Sequence, residues 1–261
     1  MAPMKMRSGR RPRFPANDDA RTYRQRVCRG GLHAFQVICQ ETDLMIQADR
    51  LLEYEAREQV LVCRGQIEGF IQRYPEFAVT LVPWQEQAFA PEIIREMINA
   101  GRTAGVGPMA AVAGAVAETV GRTLLDYSRQ VVVENGGDVF IRTEGPVVAG
   151  LFAGNSPLSM KMGINLPDTS DGIGLCTSSG TVGHSLSSGS ADAVCVVSHS
   201  CALADAAATA IGNRIRSPRE IKTAIAFGKR ITGVLGIVVV AGREMGAWGQ
   251  VELVPLKGKK G

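Results

Sequence analysis

The stretch VVVENGGDVFI, Val131 to Ile141, decides how the rest of the chain is read. Two apolar runs of strand length meet at Asn135-Gly136-Gly137, where the glycines permit the positive φ that a tight reversal demands. The spacing predicts a β-hairpin. Upstream, HAFQVICQ and DLMIQAD alternate apolar and polar residues about the short link Glu41-Thr42, a second hairpin. Downstream come the strand-like runs PVVAGLFA, KMGINL, GIGLCT and DAVCVVS, and a closing pair, GVLGIVVVAG with QVELVPL.

Helical periodicity fills the gaps. Residues Glu53 to Tyr74 carry apolar side chains at helical spacing and stop at Pro75. PEIIREMINAG opens on Pro91 and closes on Gly101, and GPMAAVAGAVAETVGRTLLDYS is one long Ala-rich helix. CALADAAATAIGNRI and PREIKTAIAFGKRI are two more. Strands arriving in antiparallel pairs, with helices grouped between them, define an α+β fold with a mainly antiparallel sheet. The order β-β-α-α-β-β appears about twice. That implies a duplication inside one domain, residues 21–256, with pseudo-repeats at about 30–130 and 131–256.

With 45% hydrophobic and 21% charged residues among 261, the chain has the composition of a soluble globular protein. Only 5% are aromatic, so Ala, Val, Ile and Leu must fill the core. The net charge of +4 is concentrated at one end: the first 30 residues hold nine Lys or Arg and two Asp, and the remainder sums to −3. Residues 1–20 read as a disordered basic leader and 257–261 as a basic tail, and nucleic-acid binding is not expected of either. The leader lacks the apolar core of a secretory signal, and ITGVLGIVVVAG is too short and glycine-broken to span a bilayer. A cytoplasmic protein without a membrane segment is expected. The six cysteines (28, 39, 63, 176, 195 and 201) show no C-x-x-C pair, so they read as reduced thiols rather than zinc or iron–sulfur ligands.

Four stretches carry candidate chemistry. Gly105, Gly107 and Ala110 imitate a dinucleotide fingerprint, but a helix precedes them where that motif requires a strand. Asn135, Gly136, Gly137 and Asp138 form a turn that a ligand can approach closely, with carboxylates at its edge. Thr177, Ser178, Ser179 and Gly180 leave a strand into a serine-rich loop, a cradle for a phosphate or a hydroxyl-rich ligand. His184 is the only histidine in that loop and so the candidate acid/base group. Asp205 and Thr209, four apart on an Ala helix, share one face and are its only polar groups before Asn213, placed to give two oxygens to Mg²⁺. On this reading Asp205 is an unpaired carboxylate facing a polar cavity.

The motifs ENGGDVFI, CTSSG and SHSCALADAAATAIG occur in the order and approximate spacing of the ApbE-like flavin transferase superfamily. Within it the chain more closely resembles a smaller family of uncharacterised ApbE-related proteins, through YRQRV, ETDLMIQAD and TSSGTVGHS, over roughly residues 20 to 256. The resemblance implies a duplicated, T-fold-like α+β unit. It also implies Mg²⁺ held by Asp205 and Thr209, and FAD or FMN in a cleft lined by Gly136, Gly137, Asp138, Thr177, Ser179 and Gly180. The transferases move FMN onto a protein threonine. Two departures stand out: Ala113 occupies the position of the transferases' Gly-Gly-Ile-Ala-Lys-Gly lysine, and their His-x-x-Asp-Pro-x-Thr-Gly segment has no counterpart. The function expected is Mg²⁺-dependent binding of a flavin or another phosphate-bearing nucleotide, with flavin transfer left open and a homo-oligomer compatible. Two alternatives also stay open. One is an enzyme of sulfur metabolism using Cys176 or Cys201. The other is a non-catalytic binding or assembly protein, marked by a large apolar interface.

Overall fold

The computed structural model describes residues 31–85, 89–179 and 189–256. The basic leader, the tail, YRQRV, Gly180 and His184 lie outside the described residues. In chain order the elements are β1 (His33–Cys39), β2 (Thr42–Ala48), α1 (Glu53–Arg73), α2 (Glu92–Ala104), α3 (Val112–Leu124), β3 (Val131–Asn135), β4 (Asp138–Arg142), β5 (Val147–Gly150), β6 (Met162–Leu166), β7 (Ile173–Ser178), β8 (Ala193–Ser198), α4 (Cys201–Gly212), α5 (Ile221–Gly228), β9 (Val234–Ala241), β10 (Glu244–Gly249) and β11 (Glu252–Pro255).

Eight strands form one sheet in the order β1-β2-β3-β4-β7-β8-β9-β10, and every neighbouring pair is antiparallel. The wiring recurs: β1-β2, helices, β3-β4, then β7-β8, helices, β9-β10. The remaining strands form a second sheet, β11-β6-β5. The helices cover one face of the large sheet, where Phe35, Ile46, Val133, Phe140, Val196 and Val239 join the larger apolar cluster. The small sheet covers the middle of the other face through Val132, Ile141, Leu175, Val197, Val238 and Val240. The central strands are therefore buried on both faces, which is why they read as unbroken apolar runs rather than alternating ones.

The structure departs from the periodicity in three places. The Ala-rich helix is broken, with a 3₁₀ turn at Pro108–Ala111 before α3 starts at Val112. Helix α2 runs past Gly101 to Ala104 and ends on Gly105, whose φ of +75° suits a left-handed cap. The closing hairpin is β9 with β10, whereas β11 leaves the large sheet to pair with β6.

Helix α4 sits at the centre, packed on β7, β8, α2 and α3. Nine of its twelve residues are buried, so a narrow Ala surface is needed all round. Two neighbours are glycines for the same reason. A Cβ on Gly174 of β7 would fall 2.4 Å from Cys201 Cα, and one on Gly114 of α3 would fall 2.3 Å from the Cys201 carbonyl oxygen. Gly174→Ala should cost about 1–3 kcal/mol by overpacking. Gly65→Ala, on the open face of α1 with nothing within 4 Å, should gain about 0.5–1 kcal/mol. Urea denaturation of both variants checks the contrast, and similar shifts in the two would contradict the packing of α4.

Candidate functional site

The β3–β4 hairpin turns on Gly136 and Gly137, with Asn135 paired to Asp138. Gly136 has φ +75°, while Gly137 does not need the left-handed region. Strand pleating places Asn135 and Asp138 on the helix-covered face and Glu134 on the other. The Asn135 amide donates to the Ala113 carbonyl at 3.1 Å, which ties the turn to the first turn of α3. Next to β4, Asp138 pairs with Cys176 of β7, and the Thr177 N–H donates to the Gly137 carbonyl at 3.1 Å. Along β7, Gly174, Cys176 and Ser178 face α4, and Thr177 faces away. The Thr177 hydroxyl lies 3.1 Å from Cys195 Sγ on the far side of the sheet. Among the expected binding residues, Thr177 thus offers its backbone to the site rather than its hydroxyl. Ser178 is buried, and its Oγ has no hydrogen-bond partner among the described residues. A buried orphan hydroxyl costs roughly 1–3 kcal/mol unless something else completes it.

Asp205 completes the floor. It is not the unpaired carboxylate expected from the sequence: its Oδ2 accepts the Gly114 N–H at 3.0 Å. Helix α3 has no side-chain cap of its own, so a carboxylate from α4 supplies one, as the partial positive charge of a helix N-terminus favours. Burial and then the charge of Asp138 hold the Asp205 carboxyl well above the usual carboxylate range, against the pull of the Gly114 and Ala113 amides. Burial also raises Asp138, and the Glu134 charge adds to it, while the Cys176 thiol and the Thr177 N–H oppose the shift. Two carboxyls thus share one desolvated corner and resist ionising together. Thr209, one turn beyond Asp205, keeps part of its surface exposed.

Glu118 is the residue that sequence reasoning missed. Buried in α3, it accepts the Cys201 N–H at 2.7 Å through Oε2, and through Oε1 it receives Nε and Nη2 of Arg122 at 2.9 and 2.7 Å. The signal was present as a single carboxylate in an Ala/Val helix with an arginine four residues on. Cys176 and Cys201 place their sulfurs 3.4 Å apart, both fully buried. Burial pushes the Cys176 thiol well above its ordinary value, the reverse of what a nucleophilic cysteine needs. Gly105 and Gly107 do not cradle a ligand. Gly105 caps α2, and a Cβ on Gly107 would fall 1.9 Å from the Thr80 carbonyl oxygen.

The fold has solved counterparts. The fold is shared with the flavinyl transferase ApbE of Pseudomonas stutzeri, at 14% identity and TM-score 0.52 over 84% of this chain and 94% of that one. It is shared also with the ApbE protein of Thermotoga maritima, at 10% identity and TM-score 0.55 over 82% and 96%. The chain belongs to the family described as AbpE bacteria, which it matches over residues 24–241. Among its relatives are the UPF0280 protein of Methanocella arvoryzae, 41% identical over 81% of this chain and 86% of the relative, and that of Methanocaldococcus jannaschii, 39% identical over 84% and 92%. No single helix among the described residues is long and apolar enough to cross a membrane.

Glu96 of α2 senses the charge of Glu118. Burial, then the charges of Glu118 and Glu92, push its carboxyl up to about 7 from 4.5, despite Arg122 and Arg95. A carboxyl whose folded value is raised keeps its proton in the folded state, so its contribution to stability falls as pH rises between about 4.5 and about 7. Glu96→Gln should therefore match the parent at pH 4.5 and be the more stable of the two at pH 8, read as thermal midpoints. Equal pH profiles would contradict the assignment. Gly136→Val, forced into the left-handed region, should cost about 1–3 kcal/mol in the same measurement.

Proposed function

We propose that the protein binds a flavin or another phosphate-bearing nucleotide together with Mg²⁺ at the corner formed by Asn135–Asp138, Thr177–Ser179, Asp205 and Thr209. The observation that carries this is one desolvated corner holding two carboxyls, Asp138 and Asp205, with Ser178 of the adjoining strand, whose hydroxyl has no hydrogen-bond partner among the described residues. Left alone, such a corner holds its protons and offers phosphate no counter-charge. A hard dication suits it, since Mg²⁺ favours carboxylate and hydroxyl oxygens and is usually shared with a ligand phosphate. The donor set fits: Asp205 keeps lone pairs beyond the one given to Gly114, and Thr209 and Asp138 offer further oxygens. When bound, the ion would take the place of the carboxyl protons and polarise the phosphate.

The chain's own residues do the rest. The Gly136–Gly137 turn lets a ligand approach backbone, and Ser178 can donate its hydroxyl hydrogen to a phosphate oxygen. Asn135 fixes the turn against α3. Ala113 stands partly exposed beside the cleft and leaves it without an ammonium at that position. That favours binding over group transfer, and FMN transfer to a protein threonine becomes a question for the assay. The close, unbridged pair of Cys176 and Cys201 supports a reducing, cytoplasmic setting.

Titration of FAD, FMN and ATP, with and without Mg²⁺, tests the reading on the parent and on Asp205→Asn. The asparagine oxygen can still accept from Gly114, so the α3 cap survives while the charge is lost. The Mg²⁺-dependent part of the affinity should fall by at least about tenfold, or ~1.4 kcal/mol, with the thermal midpoint little changed. Equal Mg²⁺-dependent binding by the two proteins would sink the metal assignment. Mass spectrometry of a threonine-bearing acceptor incubated with FAD separates binding from transfer.

A further inference from the structure

We propose that Glu118 is the positioning residue of this cleft, setting the register of α4 against α3 and so the place of the Asp205 carboxyl over Asp138. The inference rests on reading the cleft as a cation–nucleotide site. A carboxylate only 5% exposed in an apolar helix is costly unless every oxygen is engaged, and both oxygens of Glu118 are. Its target, the Cys201 N–H, belongs to the first turn of α4, where backbone donors lack intrahelical acceptors. That turn already has a local cap, since the Ser200 hydroxyl accepts the Leu203 N–H at 3.2 Å. Glu118 therefore does more than end the helix: it fastens the helix to α3.

The geometry shows why one fastening is insufficient. Glu118 meets Cys201, and Gly114, one turn earlier on α3, meets Asp205, one turn later on α4. Two bonds separated by a turn on each of two antiparallel helices fix sliding and rotation together. With Glu118 removed, α4 can shift along its smooth Ala surface, and Asp205 moves with it. Arg122 holds the other Glu118 oxygen and lies with its guanidinium 5.6 Å from the Phe140 ring centre, so the lever is anchored to β4 as well. Glu118 itself touches no ligand-facing group, and its role is placement.

Three substitutions separate the possibilities. Glu118→Gln keeps an acceptor of the right length, Glu118→Asp keeps the charge but falls a methylene short, and Glu118→Ala keeps neither. Two quantities are read well below each variant's thermal midpoint: Mg²⁺-dependent FAD affinity, and amide hydrogen exchange at Gly114, which reports the Asp205 bond without any ligand. The Asp and Ala variants should lose FAD affinity about tenfold or more, whereas the Gln variant stays within about threefold of the parent. Exchange at Gly114 should quicken by about tenfold in the first two and little in the third. If Glu118→Ala does not fold, Glu118→Asp against Glu118→Gln carries the comparison. Unchanged Gly114 exchange in the short variants overturns the proposal, as does a change spread evenly over all helices in all three. A parent protein that binds no nucleotide with Mg²⁺ overturns the ligand reading, and Gly114 exchange then decides the positioning role by itself.

Discussion

Two helices hold each other by their carboxylates. Asp205 of α4 takes a backbone N–H from the first turn of α3, and Glu118 of α3 takes one from the first turn of α4. Either N–H, left without an acceptor in the interior, would cost on the order of 1–3 kcal/mol. The exchange also brings negative charge to two helix N-termini, which their dipoles favour. Because α3 belongs to the first run of the β-β-helices-β-β wiring and α4 to the second, the same two bonds join the halves of the molecule.

The rest of the interior follows from how closely α4 must lie. An Ala surface on the helix, with Gly174 beneath it and Gly114 beside it, brings backbones together and leaves little room for polar groups. Those that remain collect at one corner, where the β3–β4 turn, the end of β7 and the first turn of α3 converge. Removal from water raises the proton affinity of Asp138 and Asp205, and the Ser178 hydroxyl has no partner among the described residues. Close packing and a strained electrostatic corner are thus one arrangement seen from two sides. A cation with oxygen ligands relieves it.

Much of this was legible in the letters. The glycine turn between two valine-rich runs predicted the hairpin at 131–141, and grouped strands and helices predicted an antiparallel α+β fold. What was missed has physical reasons. Strand β10, EMGAWG, is glycine-rich and largely exposed, so neither face carries an apolar pattern, and Gly246 instead makes room for Ile221 and Ile225 of α5. The break at Pro108–Ala111 is hidden because Ala-rich composition, which favours an α-helix, runs unchanged across it. Asp205 and Thr209 stand out on their helix, yet nothing local reveals that Asp205 caps another helix 91 residues away in sequence. Strand parity separates Thr177 from Ser178, but which side of β7 faces α4 is decided by the whole sheet. Glu118 is conspicuous in composition, and only the tertiary pairing of helices gives it meaning.

The eight-stranded sheet has one further implication. Its two four-stranded meanders touch along a single seam, β4 against β7, where Asp138 faces Cys176. Asn135, Asp138 and Gly114 come from one side of that seam, and Ser178, Asp205 and Thr209 from the other. Neither half alone carries all the residues of the proposed site. The proposed site is therefore complete only when the two meanders are docked against each other. Any ligand that bridges the seam would then act as a clasp, adding its binding free energy to the docked arrangement alone.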